Sequence, residues 1–174
     1  MSVDRASADD ADEIAAVHVT AWRETYACVL PADFLASLDI SERANRWRGI
    51  IDGPFDRGTF VARMAGEIVG FASACPQRHQ ALAAQGFETE IATIYLLARA
   101  QRHGYGRQLM ATLASTVGGG GAALWVFRDN LAARRFYEAL GGQVCGTQDT
   151  DIAGTVVAEV AYGWPAFGSL TRLS

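Results

Sequence analysis

Gln101, Arg102, His103, Gly104, Tyr105, Gly106 and Arg107 follow one another where a β-rich stretch hands over to a helical one. Glycine at such a joint lets the chain turn tightly and lets a ligand come close to the backbone. The first-turn amides of the following helix have no acceptors inside it, so they face whatever occupies the joint. That suits an anion, phosphate or pyrophosphate above all, and Arg99, Arg102 and Arg107 add positive charge. The plain alternative is an ordinary turn before a helix. Two phosphate loops are excluded. A Walker loop needs lysine, and all 15 basic residues here are arginine. A dinucleotide fingerprint needs a small residue where Leu109 stands and an acid about 20 residues on, where Trp125 stands.

Other chemistries are thinly represented. Without lysine there is no Schiff base. Cys28, Cys75 and Cys145 are odd in number and far apart, with no C-x-x-C pair, which suggests neither a disulfide framework nor a zinc site. His18, His79 and His103 are equally scattered, so no metal is expected. Glu88 and Glu90 lie two apart in a strand-like run and share one of its faces.

The elements that must position these groups are legible in outline. Helical spacing over 7–30, with Ile14, Val17, Ala21 and Trp22 on one face, gives a first helix ending before Pro31. Short helices follow over 31–38 and 41–51, and Asp52, Gly53 and Pro54 break the second. Stretches 59–64 and 67–74 form a hairpin around Ala65 and Gly66. Segment 76–86 has no readable structure. Strand 87–97, helix 106–117, strand 122–127, helix 130–140, and strands 144–147 and 155–162 complete the chain. Strand, helix, strand in the middle implies a right-handed crossover and parallel neighbours. The class is α/β with a mixed sheet, and a chain of 174 residues without repeat or linker is expected to be one domain, 1–174.

Composition sets the outer bounds. Half the residues are hydrophobic and a fifth charged, as in globular proteins. The net charge of −4 argues against a nucleic-acid surface. The longest apolar run, 91–98, is too short to span a membrane. The start lacks the basic and then apolar regions of a signal peptide, so a cytoplasmic location is expected.

The pattern Gln101-x-x-Gly104-x-Gly106, after a strand ending Ile94, Tyr95, Leu96, resembles motif A of the GNAT superfamily of N-acetyltransferases. Leu124, Trp125 and Val126, then Asn130-x-x-Ala133-x-x-Phe136-Tyr137-Glu138-x-x-Gly141, resemble motif B. The two motifs cover about a third of the chain, 90–142, and the flanking elements fit the family's order. The first helices, with Val19, Ala21, Trp22 and Tyr26, look like those of small bacterial members. Three positions depart from the usual pattern: Ala98 for proline, Arg102 for glycine, and Gly142 for phenylalanine. None removes a chemical group.

The resemblance implies a mostly antiparallel mixed sheet with one parallel, splayed strand pair, flanked by helices. It implies acetyl-CoA as cosubstrate and no metal. The amides of Arg102, His103, Gly104, Tyr105, Gly106 and Arg107 would cradle its pyrophosphate, and its pantetheine arm would pair with backbone near Ile94 and Leu96. Asn130 suits a helix cap by type, and in relatives it also touches that arm. Transfer would be direct: an amine attacks the thioester, the Leu96 amide steadies the oxyanion, and Tyr137 protonates the leaving thiolate. Tyr137 equally reads as core packing beside Phe136. Glu90 stands where some relatives keep their general base; it also reads as a solvent-facing carboxylate or a selector for a cationic substrate. Trp22, Tyr26, Glu24, Phe34 and Glu88 are candidates for the acceptor site, although a tryptophan on an apolar helical face, as Trp22 is, more often belongs to the core. Arg43, Arg46 and Arg48 read as a solvated face, or as a grip for a carboxylate-bearing acceptor.

The leading expectation is thus an N-acetyltransferase acting on a primary amine of a small molecule or peptide, without nucleic acid or membrane partners. A homodimer is the default, being common among relatives. The alternatives are a catalytically silent acyl-CoA-sensing module and an unrelated phosphate-binding domain. Polyamines, aminoglycosides, amino acids, protein termini and xenobiotic amines all stay open as acceptors.

Overall fold

The computed structural model describes residues 2–173, and side chains as far as residue 171. Its strands are β1 (Ser2–Arg5), β2 (Gly58–Met64), β3 (Glu67–Pro76), β4 (Phe87–Leu96), β5 (Gly121–Phe127), β6 (Gln143–Ile152) and β7 (Thr155–Trp164). Its helices are α1 (Ala11–Tyr26), α2 (Ala32–Ser37), α3 (Ile40–Ile51), α4 (Gln80–Ala83), α5 (Tyr105–Val117) and α6 (Leu131–Ala139). The strands form one sheet in the order β1-β2-β3-β4-β5-β7-β6. Every neighbouring pair is antiparallel except β4 and β5. This is the mixed sheet expected.

Local chemistry explains most boundaries. Asp39 caps α3, its Oδ1 accepting the Glu42 N–H at 2.7 Å. Ala65 and Gly66 both take positive φ, at 53° and 92°, the geometry a two-residue hairpin needs to match strand twist. Gly118, at φ 85°, ends α5.

Helices α5 and α6 cover one face, where Leu109, Met110, Leu113 and Tyr137 pack on Ala72, Ile91, Leu124 and Tyr162. On the other face, Ile14 and Val17 of α1 and Trp47 of α3 pack on Val61 and Phe71. Further along it, Tyr26 and Leu35 meet Phe127 and Val157.

Two elements escape sequence reading. β1 is a four-residue edge strand without a buried residue, so it carries no alternation to detect. α4 is a single turn inside the segment that had no readable pattern.

The histidine on α1 is part of the core. His18 is buried, stacks on Tyr95 at 5.0 Å, and accepts the Trp47 indole N–H on Nδ1 at 3.2 Å. Burial, with help from Arg43, lowers its pKa to about 3. The unfolded chain therefore takes up a proton near 6.5 that the folded chain refuses, so this contribution is complete above pH 6.5 and drains away from there toward pH 3. Unfolding titrations should show a loss of about 2–3 kcal/mol from this group between pH 7 and 4.5. His18→Gln, which keeps an acceptor for Trp47, should flatten that part of the profile.

Candidate active site

Strand β4 carries an extra residue. Ser73 pairs with Thr93 and Ala74 with Ile91, leaving Ala92 as a bulge. Bulges bend a strand and strengthen its twist. The β4–β5 ladder runs through Phe87, Thr89 and Glu90, opposite Gly121, Ala122 and Ala123, and goes no further. β5 meanwhile stays paired with β7 as far as Phe127. The two parallel strands thus part just where the bulge lies, and a gap opens in the middle of the sheet.

The register decides what faces the gap. Leu97 donates to the Val69 carbonyl at 2.9 Å, so the Leu96–Gly70 pair it brackets is a non-hydrogen-bonded one. The N–H and C=O of Leu96 therefore turn away from β3, toward the gap, and so do those of Ile94 two residues earlier. Gln101 reaches back to the Leu96 carbonyl at 3.3 Å, which leaves the Leu96 N–H directed at the opening. An unpaired strand edge of this kind accepts an extended amide-bearing ligand as an added strand. The close β3–β4 contact depends on Gly70: a Cβ there would overlap the Leu96 side chain and sit 2.8 Å from the Tyr95 carbonyl oxygen.

At the end of β4 the chain turns into α5. Gly104 is the N-cap, in left-handed conformation at φ 88°, and no side chain caps the helix. A Cβ on Gly106 would lie 3.1 Å from the Phe136 ring and 3.4 Å from Leu96 Cδ1, so this glycine lets α5 approach α6. Arg102 also lies in the left-handed region, at φ 65°, which explains why glycine suits its position. Side chains pay about 1 kcal/mol or more for that conformation. Arg102→Gly should therefore leave thermal stability unchanged or slightly raised. If the loop serves a ligand through its amides, the variant should also bind that ligand within about threefold of wild type, as a calorimetric titration would show.

Tyrosines stand on both sides of the gap. Tyr137 comes from α6 and is 6% exposed, packed by Phe136, Tyr162 and Trp164. Its hydroxyl makes no hydrogen bond to another described residue, and burial, with a smaller contribution from Tyr26, pushes its pKa well above the ordinary tyrosine value. From the opposite face come Tyr95 of β4 and Tyr26 of α1, each raised chiefly by burial and each perturbing the other. Tyr26 also feels the side chain of Asn130, and Tyr137 in turn feels Tyr26. Asn130 caps α6 as expected, its Oδ1 accepting the Ala133 N–H at 3.2 Å.

Around Tyr26 lies an aromatic wall. Trp22 meets Tyr26 edge-on at 5.3 Å and Phe34 at 6.2 Å, and Tyr26 meets Phe127 at 4.6 Å. A cleft of about 300 Å³ runs from Tyr26 and Thr25 to Phe127, Asp129 and Asn130. Two polar ties fix the wall. Arg23 donates to the carbonyls of Leu35, Ala36 and Leu38 and holds α2 in place. Glu24 accepts the Ala98 N–H at 2.9 Å, joining α1 to the turn after β4.

The carboxylates are distributed differently from the sequence expectation. Glu90 is buried and bound by Arg78 through both oxygens, at 3.0 and 2.5 Å, with the Arg78 N–H adding a third bond at 3.2 Å. Both oxygens of this carboxylate are thus committed to the arginine fork. Glu88 does not join Trp22 and Tyr26. It is exposed beside Gly120 at the opposite end of β4, eight residues from Leu96, or about 26 Å along the strand. The shared face was a misreading, because the β4–β5 ladder shifts register between Phe87 and Thr89. Glu159 was missed. It lies opposite Phe127 on the face that carries Tyr26, its Oε2 held by Gln148 at 2.7 Å and Thr150 at 2.6 Å. Its signal was the single acid in an otherwise apolar strand.

Among the described residues no group of His, Cys, Asp and Glu could hold a metal ion, and no helix is long and apolar enough to cross a membrane.

The site is thus a split sheet with a bare strand edge, a glycine-capped helix at its mouth and a buried tyrosine beside it. The chain belongs to the acetyltransferase (GNAT) family, whose model matches residues 18–142. It is 34% identical over 177 residues to the uncharacterized N-acetyltransferase YuaI of Bacillus subtilis strain 168, covering 99% of this chain and 98% of that protein. Among solved structures, the ribosomal-protein-alanine N-acetyltransferase of Brucella melitensis superposes with a TM-score of 0.71 at 19% identity, over 95% of this chain and 99% of that one. The PaiA N-acetyltransferase of Thermoplasma acidophilum, in complex with coenzyme A, gives 0.67 at 19% identity, over 91% and 98%. At such identities the likeness is one of fold.

Proposed function

We propose that this chain transfers an acetyl group from acetyl-CoA directly to a primary amine of a small molecule or peptide. The observation that carries this reading is the gap between β4 and β5, into which the Ile94 and Leu96 backbone groups point and which tyrosines flank from both faces. Bound acetyl-CoA would supply an activated acyl group on a thiol leaving group. The residues fit it. The bare edge of β4 suits the amides of its pantetheine arm, and the uncapped first turn at Gly104 suits its pyrophosphate.

The chain's own groups divide the remaining work. The Leu96 N–H donates to the carbonyl oxygen that gains charge during transfer, in a site where water is scarce. Tyr137 delivers a proton to the departing sulfur. Its raised pKa keeps that proton in place at every physiological pH. The aromatic wall of Trp22, Tyr26 and Phe34 orients the amine. The amine must arrive or become neutral, since free alkylamines titrate near about 10.4. Glu159, half-buried beside Tyr26 and paired with no arginine among the described residues, is better disposed to attract an ammonium group than Glu90, which Arg78 already engages. A homodimer and a cytoplasmic location accord with this reading.

The test is a panel of amines with acetyl-CoA, read by thiol release and by mass spectrometry of the N-acetylated product. Turnover of at least one amine class, lost when acetyl-CoA is replaced by CoA, supports transferase activity. Tight acetyl-CoA binding without turnover of any amine would instead favour the silent sensing module.

A further inference from the structure

Three arginines on α3 differ in their surroundings. Arg46 pairs with Glu42 at 2.6 Å. Arg48 is bound by Asp12, and by Asn45 at 3.1 Å. Arg43 alone of the three makes neither an ion pair nor a hydrogen bond to another described residue, although it is half-buried. Its guanidinium lies over the Trp22 ring, 5.9 Å from the centroid. The neighbouring acids are already occupied, Glu42 by Arg46 and Asp39 by the α3 cap.

A cation partly stripped of water and given no counter-ion is costly, and the cost is recovered when an anion arrives. A guanidinium over an aromatic ring, with no acceptor among the described residues, has its N–H fork available for a two-pronged bond, which a carboxylate matches. Trp22 is the same ring that meets Tyr26 and Phe34, so the free cation stands at the outer end of the aromatic wall whose inner end reaches the gap. Glu159 stands on the sheet side of Tyr26. Amine and carboxylate thus have separate receivers, with apolar rings between them.

We infer that Arg43 binds a carboxylate of the acceptor, and that the acceptor carries this carboxylate at the far end of an apolar spacer from its amine. This inference rests on the transferase reading above.

The experiment compares matched probes at saturating acetyl-CoA: 8-aminooctanoate against heptylamine, and 4-(aminomethyl)benzoate against benzylamine. Wild type should favour the carboxylate member of each pair by about tenfold or more in kcat/KM. Arg43→Met, which keeps the stem packed on Trp22, should raise KM for that member ten- to a hundredfold, with kcat within about threefold and the decarboxylated amine unaffected. Arg43→Lys should recover part of the loss. Equal or better use of the decarboxylated amines by wild type would overturn the inference, as would an equal loss on both members in Arg43→Met. Should no amine be turned over, calorimetric titration with 8-acetamidooctanoate and N-acetylheptylamine in the presence of CoA still decides it. Tighter binding of the carboxylate, abolished in Arg43→Met, would uphold the anion site while the transferase reading fell. No preference would sink the anion site as well.

Discussion

Tyr137→Phe should lower kcat by about a hundredfold or more, the usual worth of a positioned general acid, while acetyl-CoA binding stays within about twofold. The two effects separate because the hydroxyl and the ring do different things. The ring packs among Phe136, Tyr162 and Trp164, and phenylalanine keeps those contacts. The hydroxyl has no partner among the described residues, so its removal orphans nothing and should cost little stability. The pH profile adds a second check. Burial raises the Tyr137 pKa above its ordinary value near 10, so the acid form persists as pH rises. Between pH 7 and 10 wild-type kcat should not fall through loss of this proton, and it should climb as the amine deprotonates. In Tyr137→Phe the climb should remain at a lower level. Unchanged turnover in this variant would end the acid assignment and leave Tyr137 a packing residue.

Leu96→Pro should be nearly as damaging to turnover, for a different reason. The proposed donor there is a backbone N–H, which only proline removes. Ordinarily a proline inside a sheet breaks the ladder, but Leu96 occupies a non-hydrogen-bonded pair with Gly70, so its N–H contributes nothing to β3. The fold should survive, with a loss of about 1–3 kcal/mol from the side-chain contacts Leu96 makes at Gly70 and Gly106. Turnover should fall by about a hundredfold or more, as when one oxyanion donor is deleted. Leu96→Ala serves as the control: it loses the packing and keeps the N–H. If alanine and proline reduced kcat equally, the amide would have no special part. Denaturant unfolding followed beside the kinetics separates the two contributions.

Much of this site was readable before any coordinates. Gly104 and Gly106 follow a strand and open a helix, and both turn out to be needed there, one for its positive φ and one for the approach of Phe136. Asn130 has the type of a cap and is one. These are local matters, decided within a few residues of chain. What stayed hidden is long-range. The gap depends on a bulge at Ala92, and a bulge is a relation between two strands with no reliable mark in either sequence. Glu88 and Glu90 looked like a pair because period-two alternation holds only in a regular ladder; the register shift puts one in water and buries the other under Arg78. That ion pair joins residues twelve apart across a loop whose structure could not be read. Arg43 could not be told from Arg46 and Arg48 until the packing of α3 on Trp22 was known.

The most direct test of the central claim is calorimetric titration of the purified protein with acetyl-CoA, with NADH as a control that also carries a pyrophosphate. The split sheet and glycine-capped helix predict micromolar binding of acetyl-CoA and none comparable for NADH. Folded protein that ignored acetyl-CoA, or bound both ligands alike, would contradict the account and reduce the glycine loop to an ordinary turn or a generic phosphate site.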